Sequence, residues 1–277
     1  LASYHTDLAS YTVKHNFGML RAPVGTWTRF LHNQAEVNLC TSQQMVDRAA
    51  ELGVRNVDLW PKAVDTQRYR PDRRSAQMRA RLTGGHPTAP LVVYVGRLTH
   101  EKDLLDLVDA ARVLSARGVW FAMVGSGPDR VDLERRFTGT NTVFTGYLAG
   151  EDLAAAYASA DVFAFPSTTE TLGLVALESM ASGVPVVGAD AGGIPFVIKD
   201  AVDGYLVPPH DSSAFTTRLG DLLFDASRRT ELGQAARREA EKYSWLAATE
   251  RLVEFYELAI QRHHQRTTGT SSVLGSV

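Results

Sequence analysis

Two carboxylates, Glu170 and Glu178, stand eight residues apart around Thr171, Leu172, Gly173 and Leu174, at the head of an apolar helical run. Upstream, ADVFAFP at 160–166 reads as a short buried strand. Ser167, Thr168 and Thr169 follow as loop and N-cap residues before a helix over 172–180. At a helical rise of about 1.5 Å per residue, this spacing sets the carboxylates roughly 10 Å apart, comparable to the span from hexose to ribose in a nucleotide sugar. Between them, the free N–H groups of a first turn at Leu172, Gly173 and Leu174 can meet a diphosphate. The same residues also suit a plain helix, because the macrodipole favours an acid at its start and a second Glu commonly lies in solvent.

A second group is cationic. The apolar run LVVYV at 91–95 has the composition of a fully buried strand, and Gly96, Arg97, Glu101 and Lys102 follow it at once. Arg97 can fork onto phosphate oxygens and Lys102 can add a point charge, so the pair can neutralise a diphosphate leaving group. Such a pair also occurs on ordinary surface loops. Its place at the carboxyl end of a strand, where open α/β sheets bind ligands, favours the phosphate reading. The next unit repeats the pattern, with strand VWFAMV at 119–124, then Gly125 and Gly127, then a charged helix over 129–137. Gly125 permits close backbone approach, or simply a tight strand-to-helix turn. After a strand at 143–145, main-chain groups near Leu148 can touch a nucleotide base, and a helix follows over 151–159.

The elements that would hold these residues form an α/β chain. From Pro90 onward strands and helices alternate, which implies a parallel sheet wrapped by helices. Residues 1–60 hold helix-like runs at 24–34 and 42–52 around a strand at 37–40, too little for an independent core. The expected organisation is an incomplete amino-terminal domain over 1–62, an interdomain connection over 63–89, and a nucleotide-sugar domain over 90–244. A final segment over 245–277 carries a helix to about 262 that packs through Leu252, Phe255, Tyr256 and Ala259, with a disordered tail from 267. His263 and His264 are expected at that helix's end, where cations suit the dipole. The chain opens without an initiator methionine and reads as a fragment.

Composition narrows the chemistry. The 277 residues carry a net charge of −2 and no basic stripe, which argues against nucleic acid as a partner. No transmembrane segment is visible. The single cysteine, Cys40, excludes an internal disulfide and reads as a buried structural thiol. Lysine occurs only at 14, 62, 102, 199 and 242, so arginine dominates the 29 basic residues. There is no Asp-x-Asp and no His/Cys cluster with metal-ligand spacing, so no metal or cofactor is expected.

Taken in order, Gly96–Arg97 with Glu101–Lys102, GSGP at 125–128, Glu170 and Glu178, ASGVPVV at 181–187 and AGGIP at 191–195 resemble the retaining nucleotide-sugar glycosyltransferases of family 4. Within them the chain is most similar to the sulfolipid synthases of plants and cyanobacteria, on SYHT at 3–6, RFLH at 29–32, SAQMRARL at 75–82, FTG at 137–139, YASADVF at 157–163 and EKYSW at 241–245. The resemblance implies the GT-B fold, two Rossmann-like domains facing a cleft, with the carboxyl-terminal domain complete and the amino-terminal one only partly present. It implies that Arg97 and Lys102 hold the donor diphosphate, that Glu170 binds hydroxyls of the transferred sugar, that Glu178 binds the ribose, and that His5 reaches the sugar. Gly96, Gly125, Leu148, Thr171, Leu172, Gly173 and Leu174 would complete the nucleotide-sugar site. The implied donor is a UDP-linked hexose-type sugar, UDP-sulfoquinovose in the sulfolipid synthases, and the implied acceptor is the membrane lipid diacylglycerol. That places the protein in the cytoplasm, peripheral at a membrane, or at the chloroplast inner envelope if it is of plant origin. Two departures stand out: the family's Gly-rich amino-terminal loop is absent from this chain, which leaves open whether it is active alone, and Ala63 replaces a usual glycine at the junction.

Other readings stay open. Mannosyl- or glucosyltransferases of the same family act on other lipid or soluble acceptors. A hydrolase also uses two carboxylates, but it has no use for the cationic turn. A nucleotide-sugar 2-epimerase needs no second substrate, and a fragment can bind nucleotide without catalysing transfer.

Overall fold

The computed structural model describes residues 1–4, 18–60, 63–170 and 173–271. They divide into two compact units, one of residues 1–63 with 245–277 and one of residues 64–244.

In the first unit, three short parallel strands, β1 (Ala2–Tyr4), β2 (Asn38–Cys40) and β3 (Val57–Leu59), pair in chain order. Helices α1 (Arg21–His32) and α2 (Gln43–Glu51) connect them. Ser42 caps α2 by accepting the Met45 N–H at 3.3 Å, which satisfies one of the donors that every helix start leaves free. Side chains alternate across β2. Cys40 packs with Tyr4, Met45 and Ala49 on one face, while Val37 and Leu39 pack with Phe255 and Ala259 on the other. Burial pushes the Cys40 thiol up to about 11, as suits a structural rather than a reactive sulfur.

The last helix of this unit, Trp245–Ser271, runs well past the expected stop near 262. Thr267 lies within it, its hydroxyl donating to the His263 and His264 carbonyls, and His263 lies 3.3 Å from Glu36 instead of at a helix end. Arg262 donates to the Glu36 carbonyl at 3.1 Å, and Trp60 donates its indole N–H to the Ala248 carbonyl at 3.0 Å. Phe255 and Ala259 are buried, but Tyr256, expected to pack with them, faces solvent.

The second unit holds β4 (Leu91–Val95), β5 (Trp120–Val124), β6 (Thr142–Gly146), β7 (Val162–Phe165), β8 (Val186–Ala189) and β9 (Gly204–Val207). All pair in parallel, in the order β6-β5-β4-β7-β8-β9. Every residue of β4, β7 and β8 is buried, the signature of strands covered on both faces. The cover comes from α3 (Ala76–Leu82), α4 (Val108–Ser115), α5 (Arg130–Arg136), α6 (Gly150–Ser159), α7 (Leu174–Ala181), α8 (Ser212–Phe224) and α9 (Ala226–Glu241). Because β4 adds β5 and β6 on one side and β7 to β9 on the other, the strand order reverses between β4 and β7. In open α/β sheets the ligand crevice forms at that point, beyond the carboxyl ends of the strands.

Of residues 63–89, read from sequence as an interdomain connection, all but Ala63 belong to this second unit, and Val64, Tyr69, Met78 and Leu82 lie in its core. Arg79 is only 7% exposed and shows why a polar segment can be buried. It donates to the carbonyls of Pro87, Ser159 and Ala89 and to the Asp161 carboxylate, at 2.6–2.7 Å. Asp161 also accepts the Leu91 N–H at 2.8 Å. One satisfied charge pair thus ties α3 to the entrances of β4 and β7, the two strands whose far ends carry the candidate site.

Candidate active site

The loop after β4 turns through a short 3-10 helix, His100–Lys102, and places Asp103 in the left-handed region at φ 53°. From there Asp103 Oδ2 accepts both the N–H and the hydroxyl of Thr168, at 2.9 and 2.7 Å. Thr169 donates its hydroxyl to the Glu101 carbonyl at 2.9 Å. These bonds stitch the loop after β4 to the loop after β7. Across the stitched crevice Lys102 Nζ meets Glu170 Oε2 at 3.0 Å, each side chain 19% exposed. A cation and a carboxylate therefore stand side by side at the switch point, where partial burial strengthens their attraction.

Glu170 is also held from behind. Its carbonyl accepts the Gly193 N–H at 2.6 Å, from the loop after β8. The neighbouring Gly192 has φ +58°, and a Cβ there would stand 2.5 Å from the Glu170 carbonyl oxygen and 3.1 Å from that of Thr168. Only glycine lets the two loops approach this closely.

The glycines after β5 serve a similar purpose. A Cβ on Gly125 would stand 1.9 Å from the Gly96 carbonyl oxygen, and one on Gly127 would stand 2.2 Å from that of Leu98. Leu98 donates its N–H to the Ser126 carbonyl at 3.0 Å. The close approach expected of Gly125 is thus made to the neighbouring Gly96 loop. Leu148, proposed to line a base site, has a buried side chain beyond β6.

Glu178 lies on α7 and accepts the Tyr157 hydroxyl at 2.8 Å, with Tyr69 as a second phenol donor. The Tyr69 and Tyr157 rings meet edge to face, 5.6 Å between centroids. Burial raises the Glu178 carboxyl above its ordinary value, and the two phenols and Arg68 offset part of that rise. Burial and the Glu178 carboxylate in turn push the Tyr157 phenol up.

Several expectations need adjustment. The helix starts at Leu174, after Gly173 in the left-handed region at φ 59°, so Glu170 lies in the loop and the eight-residue helical ruler from Glu170 to Glu178 does not apply. Thr168 and Thr169 do not cap that helix, since their hydroxyls go to Asp103 and to the Glu101 carbonyl. Gly173 N–H points back to Glu170 Oε1 at 3.4 Å, and the Gly173 carbonyl accepts the Ala176 and Leu177 N–H groups at 3.0 and 3.1 Å, opening the first turn of the helix. The Arg97 guanidinium is 72% exposed and 3.7 Å from Glu101, and its main chain accepts the Tyr94 hydroxyl at 2.9 Å. His5, Thr171 and Leu172 lie outside the described residues. Residue patterns missed Asp103, Tyr69, Tyr157, Gly192 and Gly193. The AGGIP glycine pair marked a tight turn, but nothing local showed what that turn touches.

The profile of the family described as "Glycosyl transferases group 1" matches residues 89–225. A GDP-mannose-dependent alpha-mannosyltransferase of Mycolicibacterium smegmatis is 34% identical over 268 residues, covering 96% of this chain and 68% of that protein. The chain belongs to the group 1 glycosyl transferases. Its similarity to the sulfoquinovosyl transferase SQD2 of Arabidopsis thaliana is higher, 42% identity over 271 residues, which is 93% of this chain and 52% of that protein. This group 1 chain therefore spans about half the length of that relative. Among solved structures, sucrose-phosphate synthase from Thermosynechococcus elongatus superposes with a TM-score of 0.75 at 26% identity, over 92% of this chain and 66% of the other. Anabaena Alr3699/HepE in complex with UDP and glucose gives a TM-score of 0.77 at 22% identity, over 92% and 71%. These likenesses identify the fold as GT-B. Among the described residues no helix is long and apolar enough to cross a membrane.

Proposed function

We propose that the whole protein moves a hexose-type sugar, with retention of configuration, from a UDP-sugar to the hydroxyl of diacylglycerol at a membrane surface, with UDP-sulfoquinovose as donor. The observation that carries this reading is the Lys102–Glu170 pair at the reversal of strand order. The 42% identity to a sulfoquinovosyl transferase supports the choice of sugar, and a neighbour of the same fold holding UDP and glucose supports the class of donor.

In this account Lys102, with three donors, gives N–H bonds to the diphosphate while keeping one to Glu170. Arg97, on a free arm, closes over the same phosphates. Glu170 accepts hydroxyls of the sugar, and Glu178, its carboxylate already oriented by Tyr157, accepts those of the ribose. As the bond from the anomeric carbon to the diphosphate breaks, negative charge grows on the departing oxygen, and fixed cations with the α7 amino terminus stabilise it. The acceptor oxygen attacks on the same face and its proton passes to the departing phosphate, so no protein base is needed.

A GDP-mannose donor is the second reading, favoured by the mannosyltransferase relative. Incubating the full-length protein with UDP- and GDP-sugars, against diacylglycerol and soluble acceptors, and reading products by mass spectrometry separates the two. Sulfoquinovosyl diacylglycerol as the main product is expected. Mannosyl products, or transfer to soluble acceptors only, would replace the sulfolipid reading. Nucleotide binding without any transfer would leave a non-catalytic binder.

A further inference from the structure

At the amino-terminal ends of the strands, opposite the end that carries Lys102, the segments leading into β7 and β8 border an open cavity of about 560 Å³, within the range of small-molecule sites. Its floor is apolar, formed by Ala158, Ala160 and Pro185. One wall is the Pro71–Arg73 turn with Arg74, and the other is a face of α9. Gly233 sets the closeness of α9, since a Cβ there would stand 2.4 Å from the Gly183 carbonyl oxygen.

Four guanidinium groups line this cavity, those of Arg74, Arg229, Arg237 and Arg238, against one carboxylate, Asp161. The Asp161 charge is already taken by Arg79 at 2.6 Å, with Arg74 more distant at 3.6 Å. Arg237 is structural: it pairs with Glu241 at 2.8 Å and donates to the Tyr69 and Ala181 carbonyls at 2.8 and 2.5 Å. Arg229 uses only Nη1, on the Leu222 and Leu223 carbonyls, and its other N–H groups have no acceptor among the described residues. Arg238 is exposed and has no carboxylate within ion-pair distance among the described residues.

The helices α6 and α7 end here, and their last carbonyls would repel an anion. Arg79 and Arg237 donate to the Ser159 and Ala181 carbonyls, which places a cation at each of these helix ends and offsets that repulsion. What remains is a surplus of forked donors lining a concave, partly apolar site, and a guanidinium fork fits a phosphate group bidentately.

We infer that this cavity binds a phosphate monoester or diester, held by Arg229 and Arg238 with Arg74 at the rim, the rest of the molecule lying on the Ala158–Pro185 floor. The group comes from a soluble phosphorylated metabolite or from a phospholipid headgroup. Either way the site is separate from the one at Lys102.

Titrating inorganic phosphate into the chain by calorimetry tests this, comparing Arg229→Ala/Arg238→Ala with Arg97→Ala/Lys102→Ala. Saturable binding weakened about tenfold or more in the first variant and retained in the second is expected, since charged hydrogen bonds contribute on that scale. Loss in the second variant alone, or no saturable binding, would overturn the inference. Arg238→Glu, which leaves the Arg229 cap on α8 intact, should weaken binding as strongly if the fold is not at issue. Flotation with phosphatidylcholine vesicles, with and without phosphatidic acid, then identifies the source. Arginine-dependent capture by phosphatidic acid assigns a headgroup, and phosphate binding without capture assigns a soluble ligand.

Discussion

Lys102 and Glu170, 68 residues apart in the chain, form a 3.0 Å ion pair across the point where the strand order of the sheet reverses. Each belongs to a loop fixed by other bonds, Lys102 through Asp103 and Thr168, Glu170 through Gly193. The pair is thus held in place before any ligand arrives, which is what electrostatic catalysis requires.

Lys102→Ala removes the proposed phosphate donor and the cation beside the partly buried Glu170 carboxylate. UDP affinity should fall by about ten- to a hundredfold, on the scale of charge-assisted hydrogen bonds. Titration calorimetry on the variant checks this. Arg97→Ala, which removes an exposed arm, should cost less.

Glu178 should give a pH signature. Its carboxyl is raised above the ordinary 4.5 by burial, so the folded chain holds this proton more tightly than the unfolded one. Its contribution to stability is therefore greatest at acid pH and declines as pH climbs from about the ordinary value through the raised one. Glu178→Gln cannot ionise and should lack that decline, so the stability difference between the two proteins should grow with pH over that window. Denaturant unfolding at several pH values reads it out. UDP binding by the native protein should weaken as pH falls through the same window, because a protonated carboxyl accepts poorly from ribose hydroxyls.

Gly192→Ala should disturb Glu170 without touching a substrate. A left-handed backbone costs a residue with a Cβ about 1–2 kcal/mol, and the added methyl meets the Glu170 carbonyl oxygen at 2.5 Å. A modest fall in melting temperature is expected, with sugar-dependent turnover of the full-length protein reduced far more than UDP affinity.

Arg79→Ala should be the most damaging to the fold. It strips Asp161 of its 2.6 Å partner and three carbonyls of their donor, and breaking a buried pair on one side costs about 3–5 kcal/mol. Urea unfolding measures this. Arg79→Ala with Asp161→Asn should recover part of the loss.

Strand β4 was legible to the residue, because a five-residue, β-branched apolar run between a proline and a glycine favours a strand covered on both faces. Type and position singled out Lys102, Glu170 and Glu178, and the fold does bring Lys102 and Glu170 together, while the helical spacing expected between Glu170 and Glu178 does not hold. What escaped was anything set by contacts between distant segments. The start of α7 moved from 172 to 174 because Gly173 takes a left-handed turn. Nothing local marked Arg79 as the partner of Asp161 and of three carbonyls, or Tyr69 and Tyr157 as the phenols that meet Glu178.

The central claim is that Glu178 and Glu170 serve different ends of one nucleotide sugar, with Lys102 between them. The most direct measurement is calorimetric binding of UDP and of a UDP-sugar to wild type, Glu170→Ala and Glu178→Ala. Glu178→Ala should lose affinity for both ligands, while Glu170→Ala should keep its affinity for UDP and lose only the increment that the sugar adds. Equal loss of bare UDP affinity in both variants would contradict the account.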